Sequence, residues 1–208
     1  MISTRLDLRK SILLNSSCEE AVLLNDITEQ TAKFFMKAPD NNMLEFVLSK
    51  KVVLVEGDSE FILMESFYEN VTNSELELSD IHIISVDGTS FKRYLEIAKK
   101  LNIRTAVIRD NDKNYQQNCV ENYIDFADYN NIKVFSETDN LKYTFEICLY
   151  NENRNICDDL FLAGRKTLTV QEYMIKDKPE VAYQLLDVKY RELNVPEYIK
   201  QAILWIKE

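Results

Sequence analysis

Glycine and proline are scarce in this chain, which contains only three of each in 208 residues. The three glycines, Gly57, Gly88 and Gly164, are too far apart to form a phosphate-binding loop of the type G-x-x-x-x-G-K-S/T. We therefore expect no ATP hydrolysis from this chain. Because glycines are so few, each is expected to lie where its backbone freedom is needed, and Gly57 and Gly88 both follow a predicted strand.

Histidine and closely paired cysteines are also lacking. The single histidine, His82, begins a predicted strand, and we interpret it as structural. The four cysteines contain no C-x-x-C pair, so a zinc site is not expected, and reduced thiols are typical of a cytoplasmic protein. No apolar run approaches the length of a membrane span, and the N-terminus does not resemble a signal peptide. A cytoplasmic location with no membrane partner is therefore expected.

Basic residues are fewer than acidic ones, with 25 Lys and Arg against 35 Asp and Glu, which gives a net charge of −10. A free-standing nucleic-acid binder usually neutralises phosphates with basic residues, so this balance argues against simple DNA binding. Acidic residues that bind metal would explain part of the excess, because a bound cation inverts the local charge. Apolar residues make up 46% of the chain, enough for one large domain or one domain with an appendage.

The most informative feature that is present runs from Val52 to Glu60. An apolar strand ends on Glu56, turns through Gly57 and enters a helix near Asp58, whose first turn carries Glu60. Two carboxylates on either side of a tight turn can reach the same small volume, and hard oxygen ligands suit a divalent metal ion. Taken alone, these acids would equally fit the N-terminus of a helix, which favours negative charge.

A second acidic element follows another apolar strand. In the run from Val107 to Asp112, the period of two residues puts Asp110 and Asp112 on one side. A third strand leads into Asp87 and Gly88, which are expected to shape the edge of the sheet rather than to bind metal. An acidic turn would account for the second element alone. Together with the first acidic pair, at successive strand ends, it predicts a metal site.

Strand-like and helix-like segments alternate through the middle of the chain and predict an α/β fold. Such alternation favours a mostly parallel sheet covered by helices, in which ligands gather outside the carboxyl ends of the strands. After residue 140 only helices are predicted, and Pro179 and Pro196 suit the first turns of two of them, 179–188 and 196–207. The other predicted elements are strand 52–56, helix 59–69, strand 81–86, helix 90–101, strand 103–109, helix 119–129 and strand 132–136.

Polar residues predict where several helices begin and end. Asp26, followed three residues later by Glu29, resembles a capping box that opens a helix up to Lys37. Asn42 is expected to cap a short second helix, and Asn102 to close the helix 90–101. The apolar stretches that precede these helices are 11–14 and 20–24.

The acidic elements together resemble a known domain. Val-Glu-Gly-x-x-Glu on a strand, turn and helix, then Val-Asp-Gly, then Asp-x-Asp after an apolar strand, is similar to the Toprim domain of topoisomerases, primases, RecR-like repair proteins and OLD (overcoming lysogenization defect) nucleases. Two finer motifs resemble the OLD family, including its Gabija-type nucleases. Thr144-Phe145-Glu146 is similar to a Thr-(Leu/Phe)-Glu element, and residues 178–182 are similar to a Lys-(Thr/Pro)-Glu-x-Ala helix start.

This resemblance implies a Toprim fold and a division of the chain. Residues 51–140 would form the Toprim core, and residues 141–208 a helical C-terminal part that completes the active site. Residues 1–50 would be the end of an ATPase domain with linker helices, so the chain would be a C-terminal fragment that lacks the family's ATPase domain. The implied partners are DNA, that ATPase domain, a helicase-like protein and a second copy of the chain.

The implied activity is metal-dependent endonuclease cleavage of DNA, in the setting of anti-phage defence. Two Mg²⁺ or Mn²⁺ ions about 4 Å apart would hold the attacking water and the leaving oxygen, with Glu56 binding the ion nearest the water. Lys178 is the catalytic cation that the motif implies, with Lys176 as its rival. Apart from the resemblance, Tyr115, which lies with Lys113 in the polar loop 111–118, is a candidate for a DNA contact. The implied metal ligands are Glu56, Glu60, Asp110, Asp112 and Glu146.

A function of a different class stays open, namely a non-catalytic module that binds metal or DNA and needs a partner ATPase or helicase. A topoisomerase or primase is disfavoured, because neither a domain with a nucleophilic tyrosine nor a nucleotide-polymerising site fits in the remaining chain. Metal-dependent cutting of DNA that is lost in Glu56→Ala would discriminate the nuclease from the module.

Overall fold

The N-terminal region contains a short hairpin and two helices. Strands β1 (Ile12–Leu13) and β2 (Val22–Leu23) pair antiparallel, and helices α1 (Glu29–Lys37) and α2 (Met43–Leu48) follow. Asp26 and Asp87, with the roles predicted for them, lie outside the described residues. The computed structural model describes residues 10, 12–15, 17, 21–23, 25, 27–37, 42–86, 88, 90–164, 166–189 and 191–208.

A four-stranded sheet forms the centre of the molecule. All of its strand pairs are parallel, and the strand order is β4-β3-β5-β6. The predicted α/β fold with a mostly parallel sheet is therefore confirmed. The strands are β3 (Lys51–Val55), β4 (Ile81–Ser85), β5 (Arg104–Ile108) and β6 (Ile132–Phe135).

Helices connect the strands and make up the C-terminal part. Helix α3 (Asp58–Thr72) joins β3 to β4, and α4 (Phe91–Leu101) joins β4 to β5 and ends at Asn102 in a left-handed conformation, as expected. After β6 the described chain forms helices only, and the two helices predicted at Pro179 and Pro196 are confirmed. These C-terminal helices are α5 (Phe145–Glu152), α6 (Arg154–Phe161), α7 (Val170–Lys176), α8 (Lys178–Lys189) and α9 (Glu197–Lys207). Among the helices of the described part, none is long and apolar enough to cross a membrane.

Both faces of the sheet are covered, because alternate residues of each strand point to opposite sides. Val53 and Val55 pack on the side of α3 and of the C-terminal helices. Val52 and Leu54 pack on the side of α1, α2 and α4. All four side chains are at most 1% exposed. A strand buried on both faces reads as a continuous apolar run, which is why β3 was predictable.

One predicted element differs from the structure. The segment predicted as the helix 119–129 consists of a π-helical turn, Gln116–Val120, followed by a 3-10 helix, Glu121–Phe126. Its start is fixed by the loop after β5, because the side-chain amide of Asn118 donates to the carbonyl of Asn111 at 2.9 Å. The Cys119 thiol also lies 3.8 Å from the carbonyl of Asp110. These outside contacts set the geometry of the segment, which propensity alone could not predict.

The order of the strands creates a switch point between β3 and β5. From β3 the chain moves to β4 on one side, and it then crosses back to β5 on the other side. In parallel α/β sheets, ligands bind at such a point, outside the carboxyl ends of the strands. The residues that directly follow β3 and β5 therefore lie where a ligand is expected to bind.

Candidate metal centre

Glu56 follows β3 directly and is held from two sides. The N–H of Gly88, at the end of the neighbouring strand, donates to the Glu56 carbonyl at 3.0 Å. The N–H of Asp110, after β5, donates to Glu56 Oε2 at 3.2 Å. Gly88 adopts a φ of +94°, a conformation that favours glycine. The backbone and the carboxylate of Glu56 are thereby fixed at the switch point.

Glu60 lies one helical turn further on, in the first turn of α3, and is only 5% exposed. Gly57 precedes this helix in an extended conformation, with φ −150°. A Cβ atom on Gly57 would lie 3.6 Å from Glu60 Oε2, which is an ordinary contact. The expectation that Gly57 is needed for its backbone freedom is therefore wrong. Gly88 and Gly164, with positive φ, do meet that expectation.

Asp110 connects the end of β5 to the start of α5. Its Oδ1 accepts a hydrogen bond of 2.7 Å from the N–H of Phe145, the first residue of that helix. The bond is buried, and Asp110 itself is 8% exposed. Because Glu146 is the next residue of α5, this contact brings a carboxylate 36 positions further along the sequence to the same edge of the sheet.

Glu146 is a buried carboxylate with an incomplete set of partners. Its side chain is 2% exposed, and its Oε2 lies 2.9 Å from Lys178 Nζ, at the start of α8. Its Oε1 is buried without a hydrogen-bond partner among the described residues. An unpaired, desolvated carboxylate oxygen is costly, so the arrangement favours a further cation at this position.

Burial and the nearby negative charges raise the pKa values of three of these carboxyl groups. Burial, followed by the negative charges of Glu60, Glu56 and Glu146, raises the pKa of Asp110 to about 9. Burial, with Glu146 and Glu56 as further causes, raises the pKa of Glu60 to about 8. Burial also raises the pKa of Glu56, although the hydrogen bond from Asp110 opposes the shift. The charges of four acids thus act on one another in a desolvated region, and perturbed pKa values of this kind are common at functional sites.

Lys178 is the lysine that the structure brings to the carboxylates, and its side chain is 42% exposed. Burial acts to lower its pKa, but the carboxylate of Glu146 and the nearby Asp110 and Glu60 outweigh burial, and the pKa is raised. The ammonium group is therefore charged at neutral pH. Its rival Lys176 lies at the end of α7, one helix earlier.

Asp112 lies at the border of this group rather than within it. Its side chain is 52% exposed, and its Oδ2 accepts a hydrogen bond of 3.0 Å from Arg109. Its negative charge acts to raise the pKa of Glu56, so the two carboxylates lie near each other. The structure thus brings four of the five predicted ligands together, and places Asp112 beside Glu56 with a cationic partner of its own.

Arg109 is a site residue that the sequence reasoning missed. It is 5% exposed, and its three donor nitrogens bind the Asp110 carbonyl at 2.9 Å, the Asp112 carboxylate at 3.0 Å and the Tyr123 hydroxyl at 3.3 Å. A buried arginine is rare unless it is paired. Its position, directly between an apolar strand and the acidic motif, was the signal available in the sequence.

The other residues singled out in the sequence lie further away. His82 is half-exposed, and its Nδ1 lies 3.0 Å from Glu45 Oε1, near the opposite end of the sheet. This position fits a structural role. Tyr115 follows the acidic loop after β5, and its N–H donates to Asn140 at 2.8 Å.

The donor set fits a divalent cation in its chemistry. Carboxylate oxygens are the ligands that Mg²⁺ and Mn²⁺ prefer, and their charge here is not matched by Lys178 alone. As the side chains stand, no three His, Cys, Asp or Glu residues in the described ranges are close enough to hold a metal ion. Binding therefore requires these carboxyl groups to move closer together and to release their protons to make room for the cation.

Comparison with known proteins assigns the central part of the chain. Residues 47–112 match the family model "Overcoming lysogenization defect protein-like, TOPRIM domain". A search of curated proteins found no match.

Two solved structures share the fold over most of the chain. The C-terminal region of the Burkholderia pseudomallei OLD protein is 18% identical, with a TM-score of 0.52, over 76% of this chain and 97% of that one. The C-terminal region of the Xanthomonas campestris pv. campestris OLD protein is 19% identical, with a TM-score of 0.50, over 76% and 92%. At this identity the likeness establishes the fold.

Toprim domains generally bind divalent metals and typically process nucleic acids. The acidic strand ends, the all-parallel sheet and these matches agree with one another. Residues 47–112 therefore match the Toprim domain of OLD-like proteins, and most of the chain shares the fold of an OLD-protein C-terminal region.

Proposed function

We propose that this chain is a divalent-metal-dependent DNA endonuclease that hydrolyses phosphodiester bonds. The observation that carries the proposal is the convergence of four carboxylates and one lysine from five elements at the switch point of the sheet. The end of β3, α3, the end of β5, α5 and α8 each supply one of them, and the five residues are Glu56, Glu60, Asp110, Glu146 and Lys178.

The carboxylates would hold Mg²⁺ or Mn²⁺, in a two-ion site, and bound ions of this kind polarise a phosphate and lower the pKa of the attacking water. Glu56 is suited to the ion nearest that water, because its carboxylate is already oriented by the Asp110 N–H. The Phe145 N–H orients Asp110, and Glu146 follows Phe145 directly in α5, so these two carboxylates would bind together. Glu60 closes the site from α3. Arg109 holds Asp112 at the border, where it can complete the set.

Lys178 would stabilise the negative charge that develops on the phosphate in the transition state. Its ammonium is 2.9 Å from Glu146 and partly open to solvent, so it can reach a phosphate that lies over the carboxylates. A positioned cation in a partly desolvated site is worth far more to the transition state than the same cation in water. No histidine is required as a base, in keeping with the distant position of His82.

Cleavage of supercoiled plasmid tests the proposal. The chain is incubated with Mg²⁺, Mn²⁺ or EDTA, and nicked and linear products are measured. We expect cutting with metal that falls at least 100-fold, on the order of the loss of a major catalytic group, in Asp110→Asn and in Lys178→Met. The lysine variant should still bind metal, measured by titration calorimetry, whereas the Asp110 variant should bind it less tightly.

Asp58→Asn is the matched control. Asp58 lies between Glu56 and Glu60, opens the same helix and is exposed. If this variant lost activity as Asp110→Asn does, the acids would matter for the helix N-terminus rather than for metal binding. Cutting that persists in EDTA or in Asp110→Asn would overturn the proposal.

A second candidate is a non-catalytic module that binds metal or DNA and needs a partner ATPase or helicase. The absence of a ready-made group of three ligands among the described residues, and the net charge of −10, favour it. Metal binding without plasmid cutting by a folded chain is the result that this candidate expects. Under either candidate we propose that the chain acts with an ATPase domain, and as a homo-oligomer, in anti-phage defence. Plasmid cutting regained on adding a partner would support the module.

A further inference from the structure

Two loops beside the carboxylates form one continuous ledge, which we call the rim. It consists of residues 111–115, directly after Asp110, and residues 137–143, which end just before Thr144 and the helix that carries Glu146. A nucleic-acid strand whose phosphate lay over the carboxylates would have this ledge beside it. The inference below rests on the proposed function and names the part of the substrate that the rim contacts.

The rim is held rigidly by hydrogen bonds. Asn111 is 1% exposed, and its side-chain amide donates to the carbonyls of Glu137 at 2.8 Å and Asp139 at 3.0 Å. The Asp139 carboxylate accepts the N–H of Leu141 at 2.9 Å. The side-chain carbonyl of Asn140 accepts the N–H of Tyr115 at 2.8 Å and so ties the two loops together. The loops therefore form a fixed surface.

This fixed surface presents apolar and aromatic side chains to solvent. Leu141 is 82% exposed at the tip of the turn that runs from Asp139 to Lys142. Tyr115 and Tyr143 are half-buried, and the Lys113 ammonium lies 4.4 Å from the centre of the Tyr143 ring. An exposed leucine alone is common on protein surfaces, but here it stands with two tyrosine rings on a rigid surface next to the carboxylates, and this combination offers an apolar contact surface for a substrate.

We propose that the rim binds an unpaired segment of the DNA substrate, with Leu141 and the two tyrosines against base faces. Apolar and aromatic side chains reach a base face only where the bases are unstacked, as in single strands, flaps and frayed ends. Lys113, which lies over the Tyr143 ring, and Lys142, whose Nζ is 4.0 Å from Glu137 Oε2, lie beside them and would turn to the phosphates of the same strand. The acids of the rim that would repel that strand have partners: Asp112 is 3.0 Å from Arg109, Glu137 is 4.0 Å from Lys142, and the Asp139 carboxylate accepts the Leu141 N–H.

The net charge of the chain also supports binding to unpaired DNA. A protein with a net charge of −10 gains little affinity from phosphate neutralisation, so its grip on DNA must come largely from contacts that do not depend on charge. Stacking against bases is such a contact. We therefore expect the chain to prefer single-stranded or partly unpaired DNA over a fully paired duplex.

Binding of a short fluorescein-labelled oligo(dT), and of a blunt duplex, is measured by anisotropy in EDTA. Leu141→Glu should weaken oligo(dT) binding by about tenfold, the effect of losing one stacked base, and should weaken duplex binding by much less. Leu78→Glu is the matched control. Leu78 is 83% exposed and precedes β4, at the opposite end of the sheet. The Leu78→Glu variant should bind oligo(dT) as the unsubstituted chain does, and melting temperatures equal to that of the unsubstituted chain would show that both variants fold.

Three results would contradict the inference. Absence of oligo(dT) binding by the unsubstituted chain, equal binding by Leu141→Glu and Leu78→Glu, or equal loss for duplex and oligo(dT) would each do so. Hydrolysis of bis(p-nitrophenyl) phosphate with Mn²⁺ tests the proposed function separately, because this substrate has no bases. If that hydrolysis survived in Asp110→Asn, the proposed function would fail while the binding result stood.

Discussion

Glu146, within the candidate site, and Arg109, beside it, are both buried, but their sets of partners differ. Glu146 has one ion pair and one oxygen without a hydrogen-bond partner among the described residues, so its burial is costly and would be relieved by a further cation. Each of the three guanidinium nitrogens of Arg109 donates a hydrogen bond, so its burial costs little. The first side chain is poised for a ligand, whereas the second is part of the framework that holds Asp112.

Replacement of Arg109 should therefore reduce stability and disturb the site. Arg109→Met removes the guanidinium donors from the Asp110 carbonyl, which keeps only the weak Cys119 thiol contact, and from the Tyr123 hydroxyl, and we expect the free energy of unfolding to fall by about 2 kcal/mol or more. Arg109→Lys keeps the charge but cannot bind three groups at once, so it should recover only part of that loss. Urea denaturation in EDTA gives both values.

Arg154 offers a control for the loss of an arginine in general. It is exposed, and its guanidinium lies 5.5 Å from the centre of the Tyr150 ring. Arg154→Met should change the free energy of unfolding by about 0.5 kcal/mol at most. Equal effects of the two substitutions would contradict a framework role for Arg109.

At the scale of elements, the sequence predicted the strands well because burial on both faces leaves continuous apolar runs. The acids at the ends of β3 and β5 followed directly, since strand ends are visible in the sequence. The positions of Glu146 and Lys178 were implied only by resemblance, because the contacts that bring them in join residues far apart in the chain. Arg109 was missed for a related reason, since Tyr123, which partners it, lies in a segment with no regular period.

The start of α7 is a case in which a readable local signal was overlooked. Thr169 accepts the N–H of Glu172 at 3.2 Å, and Glu172 accepts the N–H of Thr169 at 2.8 Å, which forms a capping box. The spacing Thr-x-x-Glu stands in the sequence. Because α7 leads within two residues into Lys178, this cap supports the element that precedes the site lysine.

Loss of this cap should be measurable in stability. Thr169→Ala removes the side-chain acceptor and should lower the free energy of unfolding by about 1 kcal/mol, whereas Thr169→Ser should have little effect. Thermal or urea denaturation compares the three proteins. If Thr169→Ala and Thr169→Ser were equally stable, the capping box would not contribute.

At the scale of the whole molecule, the raised pKa values link stability to pH and to metal. The pKa values of Glu60 and Asp110 lie at about 8 and about 9 in the folded chain, against ordinary values of 4.5 and 3.8. From about pH 5 to pH 8 the folded state then binds more protons than the unfolded state, so stability must fall as pH rises. Below the ordinary values both states are protonated, and the penalty is absent.

We therefore expect the metal-free chain to unfold more readily in EDTA as the pH rises through this window. Asp110→Asn and Glu60→Gln should flatten the dependence, while Asp58→Asn should keep it. Excess Mg²⁺ or Mn²⁺ should stabilise the chain most at the alkaline end, because metal binding must displace the protons. Melting temperatures over this range test the prediction, and a stability that rises with pH in EDTA would contradict it.

The hydrogen bond from Phe145 to Asp110 has a consequence for how this protein can be divided. The segment that a family model identifies, residues 47–112, stops before Glu146 and Lys178. A fragment cut at that boundary would keep three of the four clustered acids and lose the fourth acid with the lysine. It would thus keep most of the clustered acids and lose the lysine that is paired with the fourth. The portion by which the protein is recognised is smaller than the portion needed for a complete site.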